Sequence, residues 1–192
     1  MDAKKILLIL TILVGFRTNT AEVSIVEADT FIDPTEFVEA QRVRDYAEAY
    51  TMLVDTLKWH EGYRAYPYKC LAEVWTVGYG HAIRDCDEFD YPMSEEEADS
   101  LLRVDLDWAI EFVESSTDLQ HTQLLAIAHF VFALGSGNFQ RSTLRELIAN
   151  DLPIDEEIVK WVHIRTRDGI IRSEHLVGSR RMELELYNLL ET

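Results

Sequence analysis

The chain has 192 residues, 47% of them hydrophobic, and a formal net charge of −17. That length fits one domain of ordinary size with an added arm, and that hydrophobic share is enough for a core, which excludes a disordered chain. The charge argues against nucleic acid as a partner. By segment, residues 1–21 carry +2, 22–57 carry −7, 58–83 carry +1, 84–118 carry −11 and 119–192 carry −2. A charge run of this kind is ordinarily a solvated face.

The chain opens "MDAKKILLILTILVGFR", two lysines ahead of an apolar run over residues 6–16. The run has the length of a signal-peptide core and falls short of the ~20 residues a spanning helix needs. Export to a periplasmic or extracellular compartment is the expectation. Ala21 suits the last position before a cut, whereas Asn19 is poorly matched two positions earlier, so cleavage of residues 1–21 and retention of residues 6–16 as a membrane tether both stay open. Residues 22–49 read as an acidic arm. Within it "DPTEF" predicts a helix start, with Asp33 as N-cap, Pro34 at the first helical position and Glu36 three residues after the cap. Val43, Tyr46, Tyr50, Leu53 and Leu57 then recur at helical spacing.

Between residues 66 and 84, aromatic and β-branched residues broken by Pro67, Gly78 and Gly80 predict short hairpin strands. "SEEE" is a capping box with Ser94 and Glu97, opening a helix that carries Leu101, Leu102, Trp108, Ala109, Phe112 and Val113. "LLAIAHFVFALG" is apolar nearly all round, which predicts a buried central helix closed by Gly135. The remainder reads as helical, with short helices after "NFQRST" and "LPID" and a last one over "RRMELELYNLL". The fold class expected is α+β, mostly helical, a small β-hairpin lobe plus a helical domain.

The chemistry concentrates in "KWHEGYRAYPYKCLAEVWTVGYGHAI". A potassium filter needs "TVGYG" loops held between spanning helices, and no such helices flank it. A zinc-protease reading of "HE" needs a histidine at position 64, which is arginine, and the six histidines include no pair at ligand spacing on one helix. "GYG" lacks the βαβ unit of a dinucleotide loop. What is left is Glu61, Cys70 and Thr76, at spacing E-x8-C-x5-T, the last two on opposite arms of a hairpin.

That spacing resembles the phage-type lysozymes, the endolysins of glycoside hydrolase family 24, whose catalytic set is a Glu, then an Asp or Cys, then a Thr. Glu61-Gly62, Arg64, Tyr68-Lys69-Cys70 and Trp75 to His81 are similar to that family's first lobe, "FVFALGSGNFQRSTL" to its central-helix region and "LVGSRRMELELY" to its terminal basic helix. The resemblance runs from about residue 50 to the end, so residues 50–192 are expected to be a lysozyme-like catalytic domain. Ala133 stands where the family commonly has a polar residue, and residues 22–49 have no counterpart.

The resemblance implies a muramidase that cleaves the β-1,4 bond between N-acetylmuramic acid and N-acetylglucosamine in bacterial peptidoglycan, as a monomer and without a cofactor. Glu61 would be the general acid, its pKa raised by burial against Trp59 or Tyr68. Cys70 would serve the far face of the sugar as base or nucleophile, and Thr76 would fix the attacking water. Phe132 and Ser142 fall where the family lines its saccharide groove, although the apolar helix predicts Phe132 as plain core. Without the matching trio, Glu61 would be an ordinary surface carboxylate, Cys70 a buried filler and Thr76 a strand residue. His81 reads as structural, holding a hydrogen bond or a carboxylate. In an oxidising compartment a Cys70–Cys86 disulfide would occupy the catalytic sulfur. Two other readings stay open: a lysozyme-like binding protein without turnover that uses residues 22–57 as its contact surface, and a transglycosylase.

Overall fold

The computed structural model describes residues 34–70, 73–167 and 169–191. The leader, whether signal or tether, and the Asp33 cap lie outside these residues. Helix α1 (Pro34–Glu61) begins at the proline and runs 28 residues without a break across position 49. Tyr46 and Tyr50 lie half-buried along its inner face, with Ala49, Leu53, Val54 and Leu57 buried. The helix stops because Gly62 turns to φ +67, a left-handed conformation that suits glycine. The Gly62 N–H still donates to the Lys58 carbonyl at 3.1 Å, and Glu61 is left at the helix's final position.

The β lobe follows at once. Strand β1 (Arg64–Lys69) pairs antiparallel with β2 (Trp75–Gly78), Tyr68 opposite Thr76 and Lys69 opposite Trp75, and β2 pairs in turn with β3 (His81–Ala82). The ladder is irregular between Arg64 and Tyr68, the stretch that contains Pro67, which has no N–H to give. Helix α2 (Glu95–Ser116) opens with the expected reciprocal box: the Ser94 hydroxyl accepts from Glu97 N–H and the Glu97 carboxylate from Ser94 N–H. Tyr79 donates to Glu95 at 2.7 Å and Lys58 to Asp99 at 2.8 Å, so the lobe and the end of α1 are both tied to the start of α2.

Helix α3 (His121–Leu134) is buried at every residue from Leu124 to Val131 and ends at Gly135, φ +84. It belongs to two apolar clusters. One joins α1, the lobe and the first half of α2 through Leu53, Leu57, Val77, Met93, Leu102 and Leu125. The other joins the second half of α2 to Ile127, Phe130, Phe139, Leu144 and Ile154, which brings in the short helices α4 (Ser136–Gln140), α5 (Thr143–Ala149) and α6 (Asp155–Ile158).

The chain then departs from the expectation of helix throughout. Residues 163–172 form a second hairpin, β4 (His163–Thr166) with β5 (Gly169–Arg172), Ile164 opposite Ile171 and Arg165 opposite Ile170. β-branched residues flanking Asp168-Gly169 favour a tight turn over a helix. Helix α7 (Glu174–Tyr187) starts earlier than expected because Ser173 caps it, accepting from Leu176 N–H, and a 3-10 turn (Asn188–Glu191) follows. The frame is α+β with helices dominant, as expected. Among the described residues no helix is long and apolar enough to cross a membrane.

Candidate active site

Glu61 sits at the junction of α1 and the lobe, with its side chain against Gly80. A Cβ placed on Gly80 would lie 2.9 Å from Glu61 Oε2, and Gly80 has φ +88, so both space and backbone favour glycine there. Burial pushes the Glu61 carboxyl above the usual carboxylate range, while His129 and then His60 pull it back down. Its place at the C-terminal end of a helix works in the same direction as burial, because the unpaired carbonyls there disfavour a second negative charge. Tyr68 lies beside it: burial first, then the Glu61 carboxylate, pushes the phenol up. Trp59 does not bury the acid. It is 79% exposed, because residues two apart on a helix point about 200° apart.

Three histidines lie within electrostatic reach of Glu61. His175, in the first turn of α7, places Nε2 3.8 Å from Glu61 Oε1, too far for a hydrogen bond and close enough to act by charge. The His60 ring meets it edge-on at 5.1 Å between centroids. His129 Nδ1 is 2.5 Å from Glu183 Oε1, and the buried Arg180 binds both Glu183 oxygens from Nε and Nη2 while its Nη1 donates to the Trp161 carbonyl at 3.1 Å. The Arg180–Glu183 pair, within the stretch read as a basic terminal helix, is therefore interior, satisfied on every side named. Burial, then His129 and Arg180, pushes His175 below the ordinary histidine range. The sequence pointed only to His60, the neighbour of Glu61; the other two are far apart in the chain.

The lobe supplies the facing residues. Thr76 is paired with Tyr68, and residues two apart on a strand share a face, so Thr76, Tyr68 and Cys70 project on one side of the hairpin. Glu61 and Cys70 both contribute to the raised pKa of Tyr68, so that phenol lies within electrostatic reach of each. The Cys70 N–H donates to the Val74 carbonyl at 3.0 Å, extending the ladder past β1. Cys70 is half-buried, Cys86 is exposed, and both are free thiols. Thr76 is buried and its hydroxyl donates to the Val74 carbonyl at 3.1 Å, leaving its lone pairs as acceptors. Phe132 and Ser142 do not join this group. Phe132 packs partly buried against both apolar clusters. Ser142 is the N-cap of α5, accepting from Arg145 N–H and donating to the Phe139 carbonyl at 2.7 Å.

His81 holds the lobe from behind. Its Nδ1 lies 2.6 Å from Asp105 of α2 and its Nε2 3.2 Å from Asp87, and the Asp105 hydrogen bond is the main cause that raises its pKa. Among the described residues no group of three His, Cys, Asp or Glu side chains is arranged to hold a metal ion.

A mostly helical frame carrying a small antiparallel lobe beside a half-buried carboxyl at a helix end is the lysozyme-like architecture. The muramidase domain of SpmX from Asticaccaulis excentricus shares the fold at a TM-score of 0.60 and 24% identity, over 71% of this chain and 94% of that one. The endolysin of Acyrthosiphon pisum secondary endosymbiont phage 1 is 29% identical over 68% of this chain and 91% of its own length. The endolysin of Bacillus phage B103 is 30% identical over 56% of this chain, which spans only 43% of that relative. The family model for phage lysozyme matches residues 58–183, and the chain belongs to that family, a class of glycoside hydrolases.

Proposed function

We propose that the chain is a peptidoglycan hydrolase that cleaves the β-1,4 bond between N-acetylmuramic acid and N-acetylglucosamine, with Glu61 as general acid. The observation that carries this reading is a carboxyl pushed upward by burial at the mouth of a hairpin whose one face bears Cys70 and Thr76. Glycoside cleavage needs a proton for the leaving oxygen and a base or nucleophile across the ring. A half-buried carboxyl whose pKa burial raises supplies the first. Cys70 takes the second role, directly or through water, and Thr76 receives a hydrogen bond from that water because its own proton is committed to Val74. Phe132 and Ser142 are proposed groove contacts, as the resemblance to the family implies.

In this reading residues 50–192 form a monomeric catalytic domain. Residues 22–49 form an acidic arm that ends within α1, and residues 1–21 are an export signal or, through residues 6–16, an inner-membrane tether. The enzyme then acts in the periplasm or outside the cell.

The test is turnover of purified peptidoglycan by the chain and by Glu61→Gln. Loss of the general acid should cut the rate by about 100- to 10,000-fold with binding retained. Equal binding with no cleavage by either protein would instead support a binding module, and an anhydro sugar end would mark a transglycosylase. Cys70→Asp should keep activity and Cys70→Ala should lose most of it; equal rates from the two would remove Cys70 from the mechanism.

A further inference from the structure

In a chain of net charge −17, the hairpin β4–β5 runs the other way: between residues 163 and 172, Arg165, Arg167 and Arg172 stand against the single Asp168. The pairing of His163 with Arg172 and of Arg165 with Ile170 puts Arg165, Arg172 and His163 on one face. All three are exposed. The hairpin is fixed at its base. Ser173 N–H donates to the Val162 carbonyl at 2.7 Å, and the neighbouring Trp161 carbonyl is held by the buried Arg180. Helix α7 begins directly after it, and His175, three residues beyond Arg172, lies 3.8 Å from Glu61. Three residues of chain reach about 10 Å at most, so the base of the basic face lies near the turn of α7 that brings His175 to the acid.

We infer that the β4–β5 hairpin is a recognition arm for the carboxylates of the peptide stems carried by the glycan strand, with Arg165 and Arg172 making the contacts. The inference rests on the hydrolase reading of the cleft. Guanidinium groups match carboxylates through two parallel N–H donors, which the ammonium of lysine does not offer. Arg172 is paired with Glu174 in the free chain, and both side chains are more than half exposed. Such a surface pair contributes little, so a stem carboxylate displaces it at small cost. A membrane surface fits less well. Ile170 shares the basic face, and on the other face Ile164 is half-buried, which leaves Ile171 as the one exposed large apolar side chain there, too little for a bilayer.

The test compares soluble glycan strands with and without their peptide stems, using the full chain and Arg165→Gln/Arg172→Gln. The wild type should prefer stem-bearing strands by about five- to thirty-fold in KM, the range expected for two partly exposed charge-assisted contacts. In the double variant the preference should fall to about one, because the remaining acidic surface gives the stems no favourable contact. Arg165→Lys/Arg172→Lys should fall between the two, and its thermal melting at the wild-type temperature separates this effect from misfolding. An absent preference in the wild type, or one that survives in the double variant, overturns the arm. So does binding of the wild type to anionic vesicles that the double variant loses while its preference for stems is unchanged. The same comparison read as binding by Glu61→Gln needs no turnover, so the arm is judged even if the chain proves not to cleave the glycan.

Discussion

In β2 the residues Thr76, Val77 and Gly78 are all buried, whereas in β5 every residue from Gly169 to Arg172 is exposed, although both belong to short antiparallel hairpins. The first is held on its flanks as well as in its ladder. A Cβ on Gly78 would meet the Ala98 Cβ at 3.1 Å, Val77 lies in the core shared with α1 and α2, and His81 bridges two carboxylates behind the sheet. The second is held at its base and by its own register. Burial fixes register, because a one-residue slip would turn the apolar side outward. On the proposed mechanism the first hairpin has to hold Cys70 and Thr76 in place and needs that constraint, whereas a recognition arm for a flexible substrate group does not.

The comparison is broken most severely at Gly80, where the packed lobe touches the acid. Gly80→Ala has to move either the backbone, at φ +88, or the Glu61 carboxyl, 2.9 Å from the new methyl. A displacement of about 1 Å in a catalytic group costs roughly 100-fold in rate. A fall of that size in kcat, with an unchanged circular dichroism spectrum, is expected; wild-type turnover would mean that Glu61 does not work from this position.

Behind the lobe, Asp105→Asn removes the stronger partner of His81. The folded-state pKa of His81 is raised, first by the Asp105 hydrogen bond. The stabilisation is therefore complete below the unfolded value of about 6.5 and is lost as pH rises through the folded value. Below pH 6.5 the variant should be less stable than wild type by about 2 kcal/mol, the scale of a hydrogen bond to a charged group. The gap should close in alkaline buffer. A gap that widens with pH in urea titrations would mean that His81 is neutral in the folded chain.

Most of the packed half was legible in the sequence, and most of the exposed half was not. The face of α1, the capping box of Ser94 and Glu97, the buried run Leu124 to Val131 and the stop at Gly135 each followed from a local rule that tertiary packing reinforced. The spacing of Glu61, Cys70 and Thr76 pointed to the hairpin face before any geometry was known. The β4–β5 hairpin escaped because two four-residue strands, one of them exposed throughout, are too short for a clean alternation of apolar and polar residues; the turn signal was Asp168-Gly169 alone. The interior Arg180–Glu183 pair escaped for a similar reason. Charges three apart look like a solvated helix face until a distant histidine and the carbonyl of Trp161 enclose them.

The region beyond the lobe also sets the charge around Glu61. His175 faces the acid from α7, His60 from α1 and His129 from α3, with Arg180 behind His175, while Tyr68 and Gly80 close the lobe side. Burial, then His129 and Arg180, holds His175 below the ordinary range and so favours its uncharged form beside Glu61. His175→Lys would put a cation there, and an opposite charge within 4–6 Å lowers a carboxyl pKa by about 1–3 units. The alkaline limb of the rate profile should move to lower pH by at least about one unit in His175→Lys and stay in place in His175→Gln. Equal shifts in both variants would mean that His175 acts by packing and not by charge.

The smallest effect expected comes from the long-range fields of the two regions. Residues 84–118, which include α2, carry −11, and the wall they approach is also anionic. At low ionic strength that repulsion reaches well beyond the cleft, and at 0.1 M salt it is screened over about 10 Å. Contacts of Arg165 and Arg172 with stem carboxylates act at shorter range and lose less. The rate on isolated cell walls should therefore rise a few-fold from low salt to about 0.1 M and fall again when salt is high enough to screen the contacts themselves. In Arg165→Gln/Arg172→Gln the rise should start from a lower rate and continue without the later fall, because only repulsion is left to screen. A wild-type profile that is flat or falls from the start would show that the acidic surface does not limit approach to the wall, and the charge contrast between the two regions would then matter for recognition alone.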